Sequence, residues 1–564
     1  MKSSLLSLFL FFSFIIGFNE AFADWNPKNS EITSNSNASN LEYLAPNLGF
    51  NQSGYTVAVW GFLDNSTSRS YQQAAISTDF GVTWSPAVSI DADNYQQNFR
   101  NTRPRVIVND KNQALMIWQR RPSTSNFEVK VCNLLNTDVG PSAQNLYPLD
   151  LNAGSAAPRP DITYAGNNVI AVWGGRSGAN FDVYFSTSSD FGENWTLKAT
   201  IPMGTMLTSQ MSPLPKIYLD ETGLAVVVWQ YTTDFSTYYV CQSVSTDFGN
   251  SWSNAAIISG PAQDWTVPVV GGDGNGNAVV AWQERTGPWP THYDLRTSSY
   301  STGSGWGFTQ TIDSIYDYCY PSIAVNNNNQ AIIAYQKTDD TDLYWTTKTV
   351  YSSNGGQSWN APIFVDPLNF YNDYTRPEVA MNNDGVVLTG WNCYLDTGDW
   401  AIKGAVSTDY GSNWSVNILN PLVKVGSTHQ PKVKVFILNS DNQNVVNGMA
   451  IWPQVDIPGT YGAVEMNHFQ KTTLRATGTQ KQLNGFSQID LINRITTLAI
   501  GEIGTYKLYK DIDLTQLVDS VTTDGRTAEL IDHHVRKGES YIYYLTWTDE
   551  FGSRTGPIKV TIER

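Results

Sequence analysis

Short apolar runs alternate with polar turns along most of the chain. PRVIVNDKNQALMIW (104–118) and PEVAMNNDGVVLTGW (377–391) show the unit: a proline, an apolar strand, a polar turn, and a second apolar strand ending in an aromatic. Brief apolar runs bounded by Asn, Asp and Gly predict strands rather than helices. The proline recurs at 46, 104, 160, 215, 268, 321, 377 and 431, in steps of 53 to 58 residues. The aromatic recurs with it as Trp60, Trp118, Trp173, Trp229, Trp282, Tyr335, Trp391 and Trp452. Self-similarity at such a period marks a repeat architecture.

A second pattern, Ser-x-Asp-x-Gly-x-x-Trp, follows the proline in most units. It is intact at 77–84, 188–195, 245–252 and 407–414, carries Asn for Asp at 352–359, and is decayed at 301–308 and 136–143. It predicts a hairpin turn. Ser and Asp oxygens accept from turn amides, Gly supplies the left-handed backbone, and Trp packs back on the strands. Its position makes it the third turn of a four-stranded unit. The eighth unit lacks the turn and a fourth strand. Asp24–Ile32 matches the segment after the turn Trp, as in Thr83–Ile90, and is expected to complete that unit and close the ring. Closure removes exposed sheet edges. The fold class is all-β: a β-propeller of eight inferred four-stranded blades, with seven or six as the alternatives.

These turns resemble the Asp-box (BNR) repeats of the sialidase-like β-propellers, over residues 24–470. Sialidases have six blades, and their Phe/Tyr-Arg-Ile/Leu-Pro start motif is absent; the nearest string is Asn98-Phe99-Arg100-Asn101. Composition changes near residue 470. Residues 471–564 hold 12 basic and 12 acidic groups, so the chain's net charge of −16 lies on the preceding part. YKLYKD (506–511), residues 531–553 and a final PIKVTI resemble a fibronectin type III domain, a β-sandwich, with Tyr541 at the place of its tyrosine corner. Expected strands are 494–499, 506–510, 528–531, 541–547 and 559–563.

Residues 1–23 read as a secretory signal peptide: Lys2, an apolar run from Leu5 to Phe18, and Ala21-Phe22-Ala23 before a start at Asp24. The apolar run is short for a membrane span, and no later run approaches one. The expectation is a secreted or extracytoplasmic protein, with no membrane span after cleavage. Acidic balance argues against nucleic acid. Four cysteines and five histidines form no metal-ligand spacing, so no metal and no cofactor are expected. Cys319 and Cys393 are placed on one face of adjacent blades and form a candidate disulfide. Cys132 and Cys241 read as buried thiols.

The first strand begins, and the second ends, on one propeller face; the Ser-Asp turns lie on the other. Functional residues are therefore sought before each proline and after each aromatic. Arg103, Arg159 and Arg376 precede three of the prolines. The resemblance implies the arginines with which sialidases grip a carboxylate; the plainer reading is that each pairs locally. Tyr320, Glu284, Arg285, Asp317, Tyr318, Asp373 and Tyr374 share that face, and Arg103, Arg159, Arg376, Tyr320 and Glu284 are the ligand-binding candidates. No residue stands in a recognisable catalytic string. Gln119, Gln230, Gln283 and Gln336 repeat after the second-strand aromatic and are expected to bond a neighbouring blade's backbone. Two functions stay open. One is a non-catalytic propeller that binds glycans or extracytoplasmic proteins, with a fibronectin-like module. The other is a sialidase-like glycoside hydrolase acting on acidic sugars. Eight blades and decayed turns favour the first.

Overall fold

The computed structural model describes residues 30–472 and 495–563, except 36–45, 65–68, 91–102, 124–125, 138–139, 155–156, 207, 286–291, 339–343, 367–369, 372–374, 395–399, 420–433, 438–444, 458–460, 500–502, 511–514, 525–527, 533–539 and 550–553. The signal-peptide segment, the strand start at Asp24, and Asp373 and Tyr374 lie outside the described residues. Every described regular element is a strand, and the chain divides into two compact units. The larger comprises residues 24–440 and 446–470; the smaller includes 471–564 with 441–445.

The larger unit is a propeller. Seven four-stranded antiparallel blades follow one another in chain order. Their innermost strands are Asn47–Phe50, Arg105–Val108, Asp161–Ala165, Lys216–Leu219, Val269–Gly272, Ser322–Val325 and Glu378–Met381, here blades one to seven. Blades five and six each carry an extra short strand, Gln310–Ile315 and Phe370–Tyr371. An eighth four-stranded sheet joins the ends of this unit. It takes Lys434–Ile437, Val445–Ile457 and Tyr461–Thr472 from late in the chain and Ser30–Asn35 from its start. Ser30 pairs with Met466 and Asn35 with Gly462. The closing strand thus comes from the N-terminal segment, slightly later than expected. The consecutive blades thus number seven, one of the alternatives, rather than the eight inferred, and the last repeat contributes strands to the closing sheet.

Second strands are apolar without alternation because a blade is covered on both faces by its neighbours. Trp60, Trp118, Trp173, Trp229, Trp282, Tyr335 and Trp391 are all fully buried. Each seam between blades has its own core, in which the second-strand aromatic packs on the preceding blade. Trp118 meets Val57 and Val59 of blade one, Trp229 meets Val172 of blade three, and Tyr335 meets Leu295 of blade five. Trp60 meets Met449 and Ile451 of the closing sheet. Buried aromatics with a polar edge need a partner for it. Gln73 accepts from Trp60 Nε1 at 2.9 Å, Asp150 from Trp173 at 3.1 Å, and Asp313 from Tyr335 at 2.7 Å.

The Ser-Asp turns form as their residues dictate. In 245–252, Ser245 Oγ accepts from Gly249 N at 2.9 Å and donates to Asp247 Oδ1 at 2.7 Å. Asp247 Oδ1 accepts from Ser251 N at 2.8 Å. Phe248 and Gly249 take φ of 60° and 82°. The polar turn between first and second strands repeats a geometry of its own. Asn51, Asn109, Asp220, Asp273, Asn326 and Asn382 each accept from the amides two and four residues on. Asn51 and Asn326 also donate to the next blade's turn.

All four cysteines are buried and free, which corrects the expected Cys319–Cys393 bridge. Cys319 is packed among Ala281, Leu295 and Ile333, whereas Cys393 lies with Val365, Trp391 and Ala401. The two thiols point into different cores.

In the smaller unit, Ile495–Ala499 pairs with Ala528–Asp532. A four-stranded sheet runs in the order Leu517–Asp524, Ile503–Tyr509, Ser540–Asp549, Arg554–Glu563. The five expected strands are present with ends shifted by up to five residues. Leu517–Asp524 is additional: its Val, Thr and Asp alternation carries a weak apolar signal.

Candidate active site on the pre-proline face

A repeated backbone strain lies at the start of the blades. Arg103, Arg159, Leu214, Val267, Tyr320 and Arg376, each the residue before the blade proline, have φ between 39° and 52°. Non-glycine residues seldom enter this region, and a β-branched one such as Val267 less still. The glutamines supply compensation. Gln119 Oε1 accepts from Arg159 N at 2.8 Å, Gln283 Oε1 from Tyr320 N at 3.2 Å, and Gln336 Oε1 from Arg376 N at 3.1 Å. Their amide nitrogens donate the other way: Gln230 to Ser212 O, Gln283 to Trp265 O at 2.9 Å, and Gln336 to Tyr318 O at 2.7 Å. Three of these glutamines thus bond a neighbouring blade's backbone as expected. Gln283 and Gln336 also clamp the pre-proline loops of blades five, six and seven to one another.

Those loops assemble one cluster. Asp264, before blade five, accepts through Oδ2 from the phenols of Tyr293 and Tyr318, each at 2.8 Å. Arg285 Nη1 stands 3.6 Å from the same oxygen. Asp264 Oδ1 accepts from Trp265 N at 2.7 Å. The next loop repeats this local geometry, with Asp317 Oδ1 accepting from Tyr318 N at 2.6 Å. The rings of Tyr293 and Tyr318 lie 4.7 Å apart, and Tyr320 stacks on Tyr318 at 5.5 Å. Arg376 of blade seven closes the row, its Cζ 4.7 Å from the centre of the Tyr320 ring. Tyr293 is buried, whereas Asp264, Tyr318 and Tyr320 are part-exposed.

Burial pushes the Tyr318 phenol up to about 12. Burial and its bonds to Tyr318 and Asp264 push Tyr293 up further. Tyr320 is raised by burial, against the pull of the Arg376 charge. At neutral pH all three phenols are protonated, and a part-exposed phenol rests on an aspartate that already takes its hydrogen bond. Such a pair can pass a proton: the Tyr318 oxygen takes one from a bound molecule while its own moves to Asp264.

The other candidates fall elsewhere. Glu284 is 4% exposed, accepts from Trp282 Nε1 at 3.1 Å and faces Arg296 at 3.6 Å. It serves as a buried partner inside blade five. Arg159 is strongly desolvated, which lowers its pKa. Arg103 and Arg159 start blades two and three, away from the row of blades five to seven, and Arg376 alone of the three arginines is placed in it. Sequence reasoning singled out Tyr318, Tyr320, Asp317 and Arg285 but missed Asp264 and Tyr293. A signal existed: Asp-Trp at 264–265, Asp-Tyr at 317–318 and Asp-Tyr at 373–374 all stand four and three residues before a blade proline.

No family model matches the chain, and no curated protein matches it either. Among solved structures, a PL25 ulvan lyase bound to a -[GlcA(1-4)Rha3S]- unit is similar at 10% identity, covering 78% of this chain and 95% of its own, with a TM-score of 0.45. A Penicillium chrysogenum α-L-arabinanase complexed with arabinobiose is similar at 12% identity, covering 55% and 92%, with a TM-score of 0.34. A Dyadobacter fermentans protein of unknown function is similar at 14% identity, covering 79% and 100%, with a TM-score of 0.38. The expectation of a non-catalytic binding propeller is corrected. The pre-proline loops bring the part-exposed Tyr318 phenol to 2.8 Å from Asp264 Oδ2, a proton-relay geometry that the sequence strings did not reveal.

Proposed function

We propose that the protein is a glycan-cleaving enzyme whose active site is the row from Asp264 to Arg376 on the pre-proline face of blades five to seven. The observation that carries this reading is the double phenol contact on Asp264 Oδ2, with Tyr318 still part-exposed. Tyr318 is the catalytic residue that meets the sugar and Asp264 takes its proton. Tyr293 is a positioning residue. The substrate is an acidic glycan, because Arg376 brings a positive charge beside Tyr320 at the end of the row.

The test is incubation of the protein with polygalacturonate, alginate, hyaluronan and arabinan. New reducing ends report any cleavage, and ultraviolet-absorbing unsaturated ends report elimination rather than hydrolysis. Tyr318→Phe and Asp264→Asn are expected to lower the rate by about 10²- to 10⁴-fold. Activity unchanged in both variants, or cleavage of none of the polymers, rejects the reading.

We further propose that the Ser-Asp turns are Asp-box repeats, that residues 471–564 are a fibronectin type III-like module, and that residues 1–23 direct export. Sequencing of the exported protein should find Asp24 first.

A further inference from the structure

Phe235 and Trp265, like Phe308 and Phe364, depart from the burial of the propeller's second-strand aromatics, and they are the two that stand in loops of the pre-proline face. Second-strand aromatics are fully buried, yet Phe235 is 60% and Trp265 42% exposed. Trp265 follows Asp264 directly, in the loop that carries the candidate active site. Its backbone is fixed at both ends, by Asp264 Oδ1 on N and by Gln283 Nε2 on O.

Phe235 sits on an equally rigid turn. Thr232-Thr233-Asp234-Phe235 repeats the start of the Ser-Asp turn, but at the end of a second strand, hence on the pre-proline face. Thr232 Oγ1 accepts from Phe235 N at 3.1 Å, and Asp234 Oδ1 accepts from Ser236 N and Thr237 N at 2.9 and 2.7 Å. Phe235 takes φ of 56°, as Phe80, Phe191 and Phe248 do in the other turns. There the ring has a place to pack: Phe248 lies against Gly223, and Phe191 against Tyr164. Phe235 keeps the strained backbone while leaving most of its ring in solvent. The turn is tied toward Trp265, since Tyr238 donates its hydroxyl to Phe235 O and exchanges two 2.8 Å backbone bonds with Ala262. Ala262 is three residues from Trp265, and Gln263 N bonds Arg285 O across to blade five.

Resting on the glycan-cleaving reading, we propose that Phe235 and Trp265 form a stacking platform for the sugar rings beyond the cleaved bond, so that the substrate is a polymer lying across blades four to six. Rings held by the backbone lose little freedom on binding, and a flat apolar ring suits the apolar face of a pyranose. The platform continues the tyrosine row through Trp265, which makes the occupant the same glycan chain.

The experiment uses the full chain carrying Tyr318→Phe, run by affinity electrophoresis through gels containing each of the four polymers above. Phe235→Ala and Trp265→Ala are then added singly and together, with Trp265→Phe as the conservative variant. Each alanine should weaken retardation about five- to tenfold, and Trp265→Phe should restore most of it. With Tyr318 restored, KM for the cleaved polymer should rise by the same factors. Cleavage with unaltered retardation in both alanine variants would overturn the platform alone. A protein that neither cleaves nor is retarded by any polymer overturns the platform and the enzyme reading together.

Discussion

Gln283 binds three backbone groups with one side chain: it donates to Trp265 O and accepts from Cys319 N and Tyr320 N. Gln283→Leu would leave those groups without partners in a buried seam, at about 1–3 kcal/mol each where water cannot replace the bond. The variant should melt earlier and cleave more slowly, because Trp265 and Tyr320 are both released. A melting curve beside a rate measurement checks this. Gln119→Leu, which frees Arg159 N in blade three, should lower stability and spare the rate; equal rate losses in both would mean that the glutamines act only through global stability. Tyr318 allows a second prediction at this scale. Its folded pKa of about 12 exceeds the ordinary 10.0, so its share of stability is present below pH 10 and lost as pH climbs toward 12. In a spectrophotometric titration, wild type minus Tyr318→Phe should show the missing phenol ionising near 12. Ionisation near 10 would mean the phenol is neither desolvated nor held by Asp264.

The Ser-Asp turn is the element whose chemistry is most local, and it was legible from the sequence for that reason. The Ser and Asp side chains bond within eight residues, and one turn amide, that of Phe80, Phe191, Phe248 or Tyr410, reaches a carbonyl of the turn between the first two strands. Burial pushes Asp79, Asp190, Asp247 and Asp409 up, but hydrogen bonds from the turn amides and hydroxyls outweigh it and hold all four below the ordinary carboxyl value of 3.8. A depressed folded pKa gives stability that is present above the unfolded value and disappears as pH falls through the folded one. The melting temperature should therefore drop below about pH 4 as the four turns protonate. Asn354 shows that an amide fits the same place, since its Oδ1 accepts from Ser358 N at 2.9 Å and from Ser352 Oγ. Replacing all four aspartates by Asn should flatten the acid limb and lower the melting temperature at pH 7, where the part of each turn that depends on the carboxylate charge is lost. An acid limb that persists in the fourfold variant would place it in other carboxylates. The candidate site was less legible because its bonds are not local. Tyr318 reaches an aspartate 54 residues earlier, in the preceding blade's loop. The repeat arithmetic put both loops on one face, but the register that brings the phenol to Asp264 is set by Gln283 and Gln336 clamping three loops together.

At the scale of the molecule, the ring was legible because a proline, an aromatic and a turn recur on one period, and each aromatic needs the blade before it. That dependence runs back to Trp60, whose preceding neighbour is the closing sheet built from both ends of the propeller unit. That Cys319 and Cys393 stay unbridged was not legible: loops on one face of adjacent blades looked close enough to bridge, while the direction of each thiol into its own seam core depends on strand pairing. Closure through Ser30–Asn35 has a direct consequence. Removing residues 24–35 would leave Tyr461–Thr472 as an unpaired outer edge, which templates association with other chains. The truncated protein should melt several degrees lower, since each lost kcal/mol is worth about 2–4 °C in a domain of moderate size. It should also aggregate on heating at concentrations where the intact chain does not. Adding a peptide of residues 24–36 in excess should restore part of the melting temperature, because the peptide binds only the folded edge. An unchanged melting temperature in the truncated chain would mean that the seams hold the ring without the strand. Stabilisation of the intact chain by the peptide would mean that it binds somewhere other than the closing sheet.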